Sequence, residues 1–258
     1  MDEQMKRKIN LKLYPIYKMF SWDLLFYFAI IFLFLTEVKG LTASEVLLGD
    51  AFYPIFKIFF QVLCVILIDH IGKRKSLLLG NIFVATSVII LIIFHGLNAL
   101  IISNFVAAFG FVLKGICEPI ILNDSIPETK YKQDIFARID GTATSLHFWL
   151  AAISAVTTGF LFAINGYLPM ILCFIFCLIS TLISYRFEDV DTTTAASDKK
   201  SSSIKHIWKY IKDLRRIFKY MLKSKRLISL MLSSAIILPL ALLSSPTPHT
   251  SPSTKRIS

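Results

Sequence analysis

Charged residues are scarce in this sequence: Asp, Glu, Lys and Arg make up 17% of its 258 residues, against about 25% in soluble domains. So small a share gives too little polar surface for a soluble fold of this size and excludes that class. Hydrophobic residues make up 55% of the chain, which contains 22 Phe. They stand in long blocks, and blocks of about 20 apolar residues predict membrane-spanning segments.

Catalytic motifs are missing as well. The sequence contains no H-E-x-x-H pattern, no G-x-S-x-G pattern and no phosphate-binding loop, so we expect no catalytic residues and no enzyme. Its cysteines lie inside apolar blocks, without the full set of ligands that a structural zinc ion needs. We therefore expect no metal site and no cofactor. The cysteines, whose small side chains suit helix packing, are Cys64, Cys117, Cys173 and Cys177.

Negative charge is in the minority, with 17 Asp and Glu against 28 Lys and Arg. In a soluble protein such an excess of cations would suggest nucleic-acid binding. Here the cations lie between the apolar blocks, where they indicate topology and contact with anionic lipid headgroups. We expect the lipid bilayer, and no nucleic acid, as the partner of these cations.

Six apolar blocks predict six transmembrane helices. Backbone groups in lipid must be hydrogen-bonded within their own segment, which makes a helix the expected conformation of each block. The first block is too long for a signal peptide and no small-residue cleavage site follows it, so it should remain as an anchor. The predicted fold class is all-α, a polytopic membrane helix bundle. The blocks lie at 20–38, 48–68, 76–95, 98–122, 142–163 and 167–186.

The basic residues of the loops lie on one side of the predicted bundle. Loops 39–47, 96–97 and 164–166, on the other side, hold a single cation, Lys39. Because positive residues are retained on the cytoplasmic side, we expect a multi-pass protein of the cell membrane with a cytoplasmic N-terminus. The cations of the first cytoplasmic segments are Lys6, Arg7, Lys8, Lys12, Lys18, Lys73, Arg74, Lys75, Lys130, Lys132 and Arg138.

Two basic segments flank the six-helix membrane domain, which is predicted over 20–186. Residues 1–19 form a cytoplasmic N-terminal segment whose amphipathic pattern suits the membrane surface. Residues 187–226 form a cytoplasmic linker, polar at first and then, from residue 204, apolar at helical spacing. The linker helix would lie on the membrane surface or bind a partner, as calmodulin-target helices do.

A seventh apolar block closes the hydrophobic part of the chain. Residues 227–243 are short of a full crossing and include Pro239, so they predict a partial seventh transmembrane helix. The tail at 244–258 consists mainly of Ser, Thr and Pro and has no apolar periodicity, which is typical of disorder.

The most specific motif joins the second and third blocks, at residues 67–75. It resembles the signature G-x-L-x-D-R-x-G-R-[KR] between helices 2 and 3 of the major facilitator superfamily. Val65 and His70 depart from the pattern, since Gly and Arg are usual there. The six-helix layout and the long cytoplasmic loop that follows extend the resemblance over residues 20–186. The matching residues of the motif are Leu67, Asp69, Gly72, Lys73 and Arg74.

Each residue of the motif has a physical use. Gly72 permits a sharp turn, Lys73 and Arg74 hold the loop at the cytoplasmic face, and Asp69 can cap a helix or pair with a cation. The resemblance implies that these four residues form a conformational-gating motif, in which the acid locks the inward-closed state against the second half of the transporter. By itself the motif would also suit an ordinary positive-inside turn.

Polar side chains inside the blocks predict a substrate or ion pathway. Lys57 and Gln61 share one face of the second helix, where Lys57 would line a cavity or snorkel to the interface. Asn104, Lys114 and Glu118 share a face of the fourth helix. Lys114 and Glu118 lie one turn apart and can pair. Such a pair would bind substrate, relay a proton or fix helix packing.

The resemblance implies secondary active transport of a small solute, coupled to a proton or another ion. A second hypothesis is a non-transporting truncated fragment, because such transporters usually have about twelve helices, in two six-helix halves, and here only a seventh begins. A half-length chain could still transport by pairing with itself. The sequence does not indicate the substrate.

Overall fold

The computed structural model describes residues 3–190, and this part of the chain is almost entirely helical. The predicted linker helix, the partial seventh helix at 227–243 and the tail at 244–258 lie outside the described residues. Five of the described helices are long and apolar enough to cross a membrane, which confirms the all-α membrane bundle. They are α3 (Ala43–Ile71), α4 (Lys73–Ile93), α5 (Leu97–Ser125), α6 (Lys132–Ile164) and α7 (Leu168–Tyr185).

The first predicted crossing, at 20–38, is not a continuous helix, and that prediction is wrong. Helix α1 spans Glu3–Ser21, so it begins within the segment assigned to the cytoplasmic N-terminus and packs against α5, α6 and α7. Turns follow, until the short helix α2 (Ile31–Leu33) continues into a π-helical turn at Phe34–Val38.

The predicted helix at 20–38 is interrupted because side chains form hydrogen bonds with its backbone groups. The Asp23 carboxylate accepts a hydrogen bond from the Leu24 amide at 2.9 Å, and Phe26 has a φ of 66°, a conformation that ends a helix. The carbonyls at the end of α1 are bound by side chains from α5 and α6. The apolar block at 20–38 predicts a continuous helix because the sequence does not show which distant side chains will bind its backbone.

Helices α3 and α4 are joined by a single residue, Gly72, as the motif predicts. Its φ of 92° lies in a region that suits glycine. The Gly72 amide donates to the Ile68 carbonyl at 2.9 Å, and its carbonyl accepts from the Ser76 amide at 3.0 Å. At its other end α3 begins with a capping box formed by Thr42 and Glu45. Both ends of α3 are therefore fixed by local sequence.

Two buried hydrophobic clusters form the core, and polar residues lie between them along the helices. Tyr17 and Leu77 belong to one cluster, and Leu24 and Val84 to the other. Buried Ser21 on α1 stands between the two clusters in sequence, as do Asn81 on α4 and Ser180 on α7. The bundle therefore has a polar layer within its apolar core.

One end of the bundle gathers most of the basic segments. Arg7, near the start of α1, donates to the Ile126 carbonyl at 3.2 Å. Arg74, at the start of α4, donates to the Tyr185 carbonyl at 2.9 Å. The beginnings of α1 and α4 and the ends of α5 and α7 thus meet, and we call this the basic end.

Candidate functional site

Glu118 on α5 is the centre of the polar layer. Its side chain is buried, and its Oε1 accepts hydrogen bonds from the Tyr17 hydroxyl at 2.9 Å and the Ser21 hydroxyl at 3.0 Å. Tyr17 and Ser21 lie one turn apart on α1, which places both hydroxyls on the face that meets α5. The two helices are therefore joined through one carboxylate oxygen.

The hydrogen bonds continue from Glu118 into two further helices. The Asn81 side-chain amide, on α4, donates to the Tyr17 hydroxyl at 3.0 Å, and the Ser180 hydroxyl, on α7, lies 3.4 Å from the Asn81 Oδ1. Ser180, Asn81, Tyr17 and Glu118 thus form a connected polar chain across four helices. Neither Tyr17 nor Asn81 was predicted from sequence as a site residue, and the only signal for Asn81 was a lone Asn in an apolar block.

Lys114 and Glu118 meet at Ser21 and not directly. The Lys114 ammonium donates to the Ser21 carbonyl, while Glu118 accepts from the hydroxyl of the same residue. The two side chains do not form a direct ion pair in the described structure, because the end of α1 offers a carbonyl without a helical partner, which binds the ammonium. Lys114 also lies over the Phe111 ring, 5.0 Å from its centroid.

His147 on α6 binds the same end of α1. Its Nδ1 lies 3.0 Å from the Met19 carbonyl oxygen, so Nδ1 carries the proton and donates. Asp23 lies in the turn that follows α1, where its carboxylate accepts from the Leu24 amide. Two helices, α5 and α6, therefore direct ionisable side chains toward the interruption of the first crossing.

An ion pair with a buried lysine ties α1 to α6. Lys18 is paired with Asp140, which also accepts a hydrogen bond from the Tyr14 hydroxyl at 2.8 Å. The Lys18 ammonium lies 4.3 Å from the centroid of the Trp22 ring, close enough for a cation–π interaction. The sequence assigned Lys18 to the cytoplasmic surface, because its burial depends on helices that are distant in the chain.

The five residues of the predicted pathway fall into two groups. Lys114, Glu118 and Asn104 are buried, whereas Lys57 and Gln61 are exposed on α3. Asn104 donates to the Gly49 carbonyl at 3.1 Å and holds α5 against α3. Lys57 lies over the Tyr53 ring at 5.4 Å from its centroid. The structure thus separates an interior group from an open polar face.

The predicted gating residues take different positions at the basic end. Lys73 pairs with Asp124, at the end of α5. Arg74 binds the end of α7 through the Tyr185 carbonyl and lies 3.7 Å from the Glu188 carboxylate. Asp69 is exposed, and no residue of the described range 3–190 hydrogen-bonds to its carboxylate. The basic half of the motif is engaged within the bundle, and its acid is presented outward.

Lys39, the lone cation of the opposite side, is buried at the other end of the bundle. It donates to the Ile92 carbonyl at 2.8 Å and lies 5.2 Å from the centroid of the Tyr167 ring. Burial lowers the pKa of Lys39. This cation therefore caps α4, which explains its exception to the charge pattern.

Comparisons with known proteins agree with this architecture. Two solved structures of the peptide transporter POT, both of a mutant form, resemble the chain. The one in complex with sulfate is 17% identical with a TM-score of 0.52, and the one with alafosfalin is 15% identical with a TM-score of 0.50. Each match covers 93% of this chain and 50% of the transporter. At this identity the likeness shows the fold alone.

The chain thus spans about half the length of those transporters, and no curated protein matches it. The family model of the Major Facilitator Superfamily matches residues 16–252, which is most of the sequence. The chain therefore belongs to the major facilitator superfamily.

Proposed function

We propose that this chain carries out secondary active transport of a small solute and that protons drive the transport through Glu118. The observation that supports this most is the buried Glu118 carboxylate, bound by Tyr17 and Ser21 and adjoining the ammonium site of Lys114. Ionisable groups inside a membrane domain are costly and usually serve transport. Coupling ions in transporters also bind at the ends of interrupted helices, and α1 ends at this site.

In this proposal the two groups of pathway residues have separate tasks. Lys57 and Gln61 contact the solute, because they stand on the exposed face of α3, where lipid alone would leave them unsatisfied. Lys114 and Glu118 respond to the proton, because both are buried within the bundle. Asn104 holds α3 and α5 together, so that the two groups move as one unit.

Protonation of Glu118 changes the bonds that hold α1. The ionised carboxylate accepts from both hydroxyls, whereas a protonated carboxyl becomes a donor itself. Loss of the negative charge weakens the hydrogen bonds from both Tyr17 and Ser21, and Ser21 also carries the carbonyl bound by Lys114. The interrupted helix would therefore shift relative to α5 when the proton binds.

The orientation of the bundle follows from its charge. We place the basic end in the cytoplasm of the cell, because positive loops are retained on that side. Asp69 would then act as the gate, since its carboxylate is exposed and available to a second half, while Lys73 and Arg74 stay bound to α5 and α7. The domain limits at 20–186 and the cytoplasmic linker at 187–226 belong to the same proposal.

The test is solute uptake into liposomes that contain the purified chain. A panel of amino acids, sugars, organic acids and short peptides is offered with and without an inward proton gradient; peptides are included because the similar solved structures are of a peptide transporter. We expect one class to accumulate only with the gradient, and Glu118→Gln to reduce this accumulation by about 100-fold, a cost of about 2.7 kcal/mol.

The matched control is Glu37→Gln, which removes an exposed carboxylate from the π-helical turn. It should leave uptake within about twofold, as substitutions away from a site do. The proposal fails if no member of the panel accumulates, or if the two Gln variants lose uptake equally.

A further inference from the structure

After α7 and its C-cap residue Arg186, residues 187–190 fold back against the bundle. Phe187 is fully buried and Val190 is 3% exposed, although neither belongs to a regular element. The Phe187 amide donates to the Ser184 carbonyl at 3.3 Å, which directs the chain inward as soon as the helix ends. This segment, Phe187–Val190, is therefore packed as part of the basic end.

Asn10 on α1 holds the segment by its backbone. Its side-chain amide donates to the Glu188 carbonyl, and its Oδ1 accepts from the Glu188 amide, both at 2.9 Å. The same amide group donates to the Ser125 hydroxyl at 3.0 Å. Asn10 is 2% exposed, and its three bonds join the segment to both α1 and α5. A buried side chain with all these bonds satisfied is a specific attachment point.

Phe187 lies directly against the residue that binds Glu118. Its ring makes an edge-to-face contact with Tyr17, with centroids 5.3 Å apart and planes at 86°. The Tyr17 hydroxyl, in turn, donates to Glu118. Cys117 and Ile121, the neighbours of Glu118 on α5, belong to the same hydrophobic cluster as Phe187. The Phe187 ring thus lies between the end of α7 and Tyr17, whose hydroxyl binds the Glu118 carboxylate.

We propose that Phe187 is a hydrophobic plug that seals the basic end of the bundle over the Glu118 site, and that Asn10 is the latch that keeps it closed. Water reaches the carboxylate from this end when the latch opens and the segment withdraws. The inference rests on the proposed function for the role of Glu118. It adds that the segment Phe187–Val190, which follows α7, controls the access of water to Glu118. The movement of one half of a transporter against the other is then not the only control.

The native cysteines allow a direct test. Cys117 is fully buried beside Glu118, so its reaction with a charged methanethiosulfonate reagent measures water access to the site. The measurement uses the full chain in detergent micelles, with Cys64, Cys173 and Cys177 replaced by alanine. We expect Phe187→Ala to raise the labelling rate of Cys117 by at least about tenfold, since removing a buried aromatic ring opens the packing locally.

Asn10→Ala provides a second variant that leaves the ring in place. It should also raise the labelling rate, because the segment loses its latch, and it decides the question if Phe187→Ala does not fold. Phe187→Leu should restore most of the protection. The matched control is Tyr131→Ala, which removes an aromatic ring that is 65% exposed and should leave labelling unchanged.

The inference is overturned if folded Phe187→Ala or Asn10→Ala labels Cys117 no faster than the Tyr131→Ala control. Its failure can be distinguished from failure of the proposed function, because labelling requires no transport. If the chain accumulates solute through Glu118 but Cys117 stays protected in these variants, the proposed function stands and the role of Phe187 as a plug is refuted.

Discussion

Glu118 takes both of its hydrogen bonds from one turn of one helix. Tyr17 and Ser21 donate to the same oxygen, at 2.9 and 3.0 Å. A buried carboxylate without donors carries a large desolvation cost, so these two hydroxyls determine whether the charged form can persist inside the bundle. Two hydroxyl groups on α1 therefore control the ionisation of the Glu118 carboxylate on α5.

The variant Tyr17→Phe tests this dependence, because it removes only the hydroxyl. We expect a loss of about 1–3 kcal/mol, the cost of leaving a buried partner unsatisfied, seen as a lower midpoint of thermal unfolding in detergent. Tyr131→Phe, on an exposed ring, should cause no change. When Glu118→Gln is also present, Tyr17→Phe should cost less. Equal costs in both backgrounds would contradict the link.

At the scale of helices, cations cap the ends of their neighbours. The carbonyls at a helix C-terminus lack helical partners and carry partial negative charge. In this bundle each of four such ends accepts from a cation of another element, so that every cap is also a contact between elements. The pairs are Lys114 with Ser21, Lys39 with Ile92, Arg7 with Ile126, and Arg74 with Tyr185.

The backbones of α4 and α5 approach each other closely where Gly80 meets Gly110. A Cβ atom on Gly110 would lie 2.7 Å from the Gly80 carbonyl oxygen, which is too close for the backbones to remain in place. We expect Gly110→Ala to destabilise the bundle by about 1–3 kcal/mol through this overpacking, measured as a lower midpoint of thermal unfolding in detergent.

Gly115 gives a control on the same helix, since a Cβ there meets no atom within 4 Å. Gly115→Ala should be neutral or stabilising, by up to about 1 kcal/mol, because alanine favours helix more than glycine does. A crossing that tolerates Gly110→Ala as well as Gly115→Ala would show that the helices can separate without cost.

Local patterns account for most of the elements, and long-range contacts for most of the site. The apolar blocks predicted α3 to α7 because a membrane helix satisfies its own backbone, and Gly72 predicted its turn because few residues adopt its φ. The interruption after Ser21 was missed because its bonds come from Lys114 and His147, about 90 and 130 residues away in the sequence. The roles of Tyr17 and Asn10 were missed for the same reason.

For the described molecule as a whole, the two apolar clusters and the polar layer between them predict uneven stability. Helix α5 is the most buried of the five long helices, whereas few backbone amides of residues 22–30 donate to a carbonyl. We expect amides of 22–38 to exchange with deuterium at least about tenfold faster than those of 97–125, measured by mass spectrometry of peptides. Uniform exchange would mean that the interruption is closed in solution.

The two bonds of Ser21 make this residue a junction between charge and position. One of its oxygens answers to an ammonium and the other to a carboxylate, and both belong to the last turn of α1. A change in the protonation of Lys114 or Glu118 therefore exerts a force on the C-terminal end of α1. Helix α1 has 19 residues, and Asn10, near its middle, fixes it to the segment Phe187–Val190, so α1 would carry this force toward the basic end as a lever.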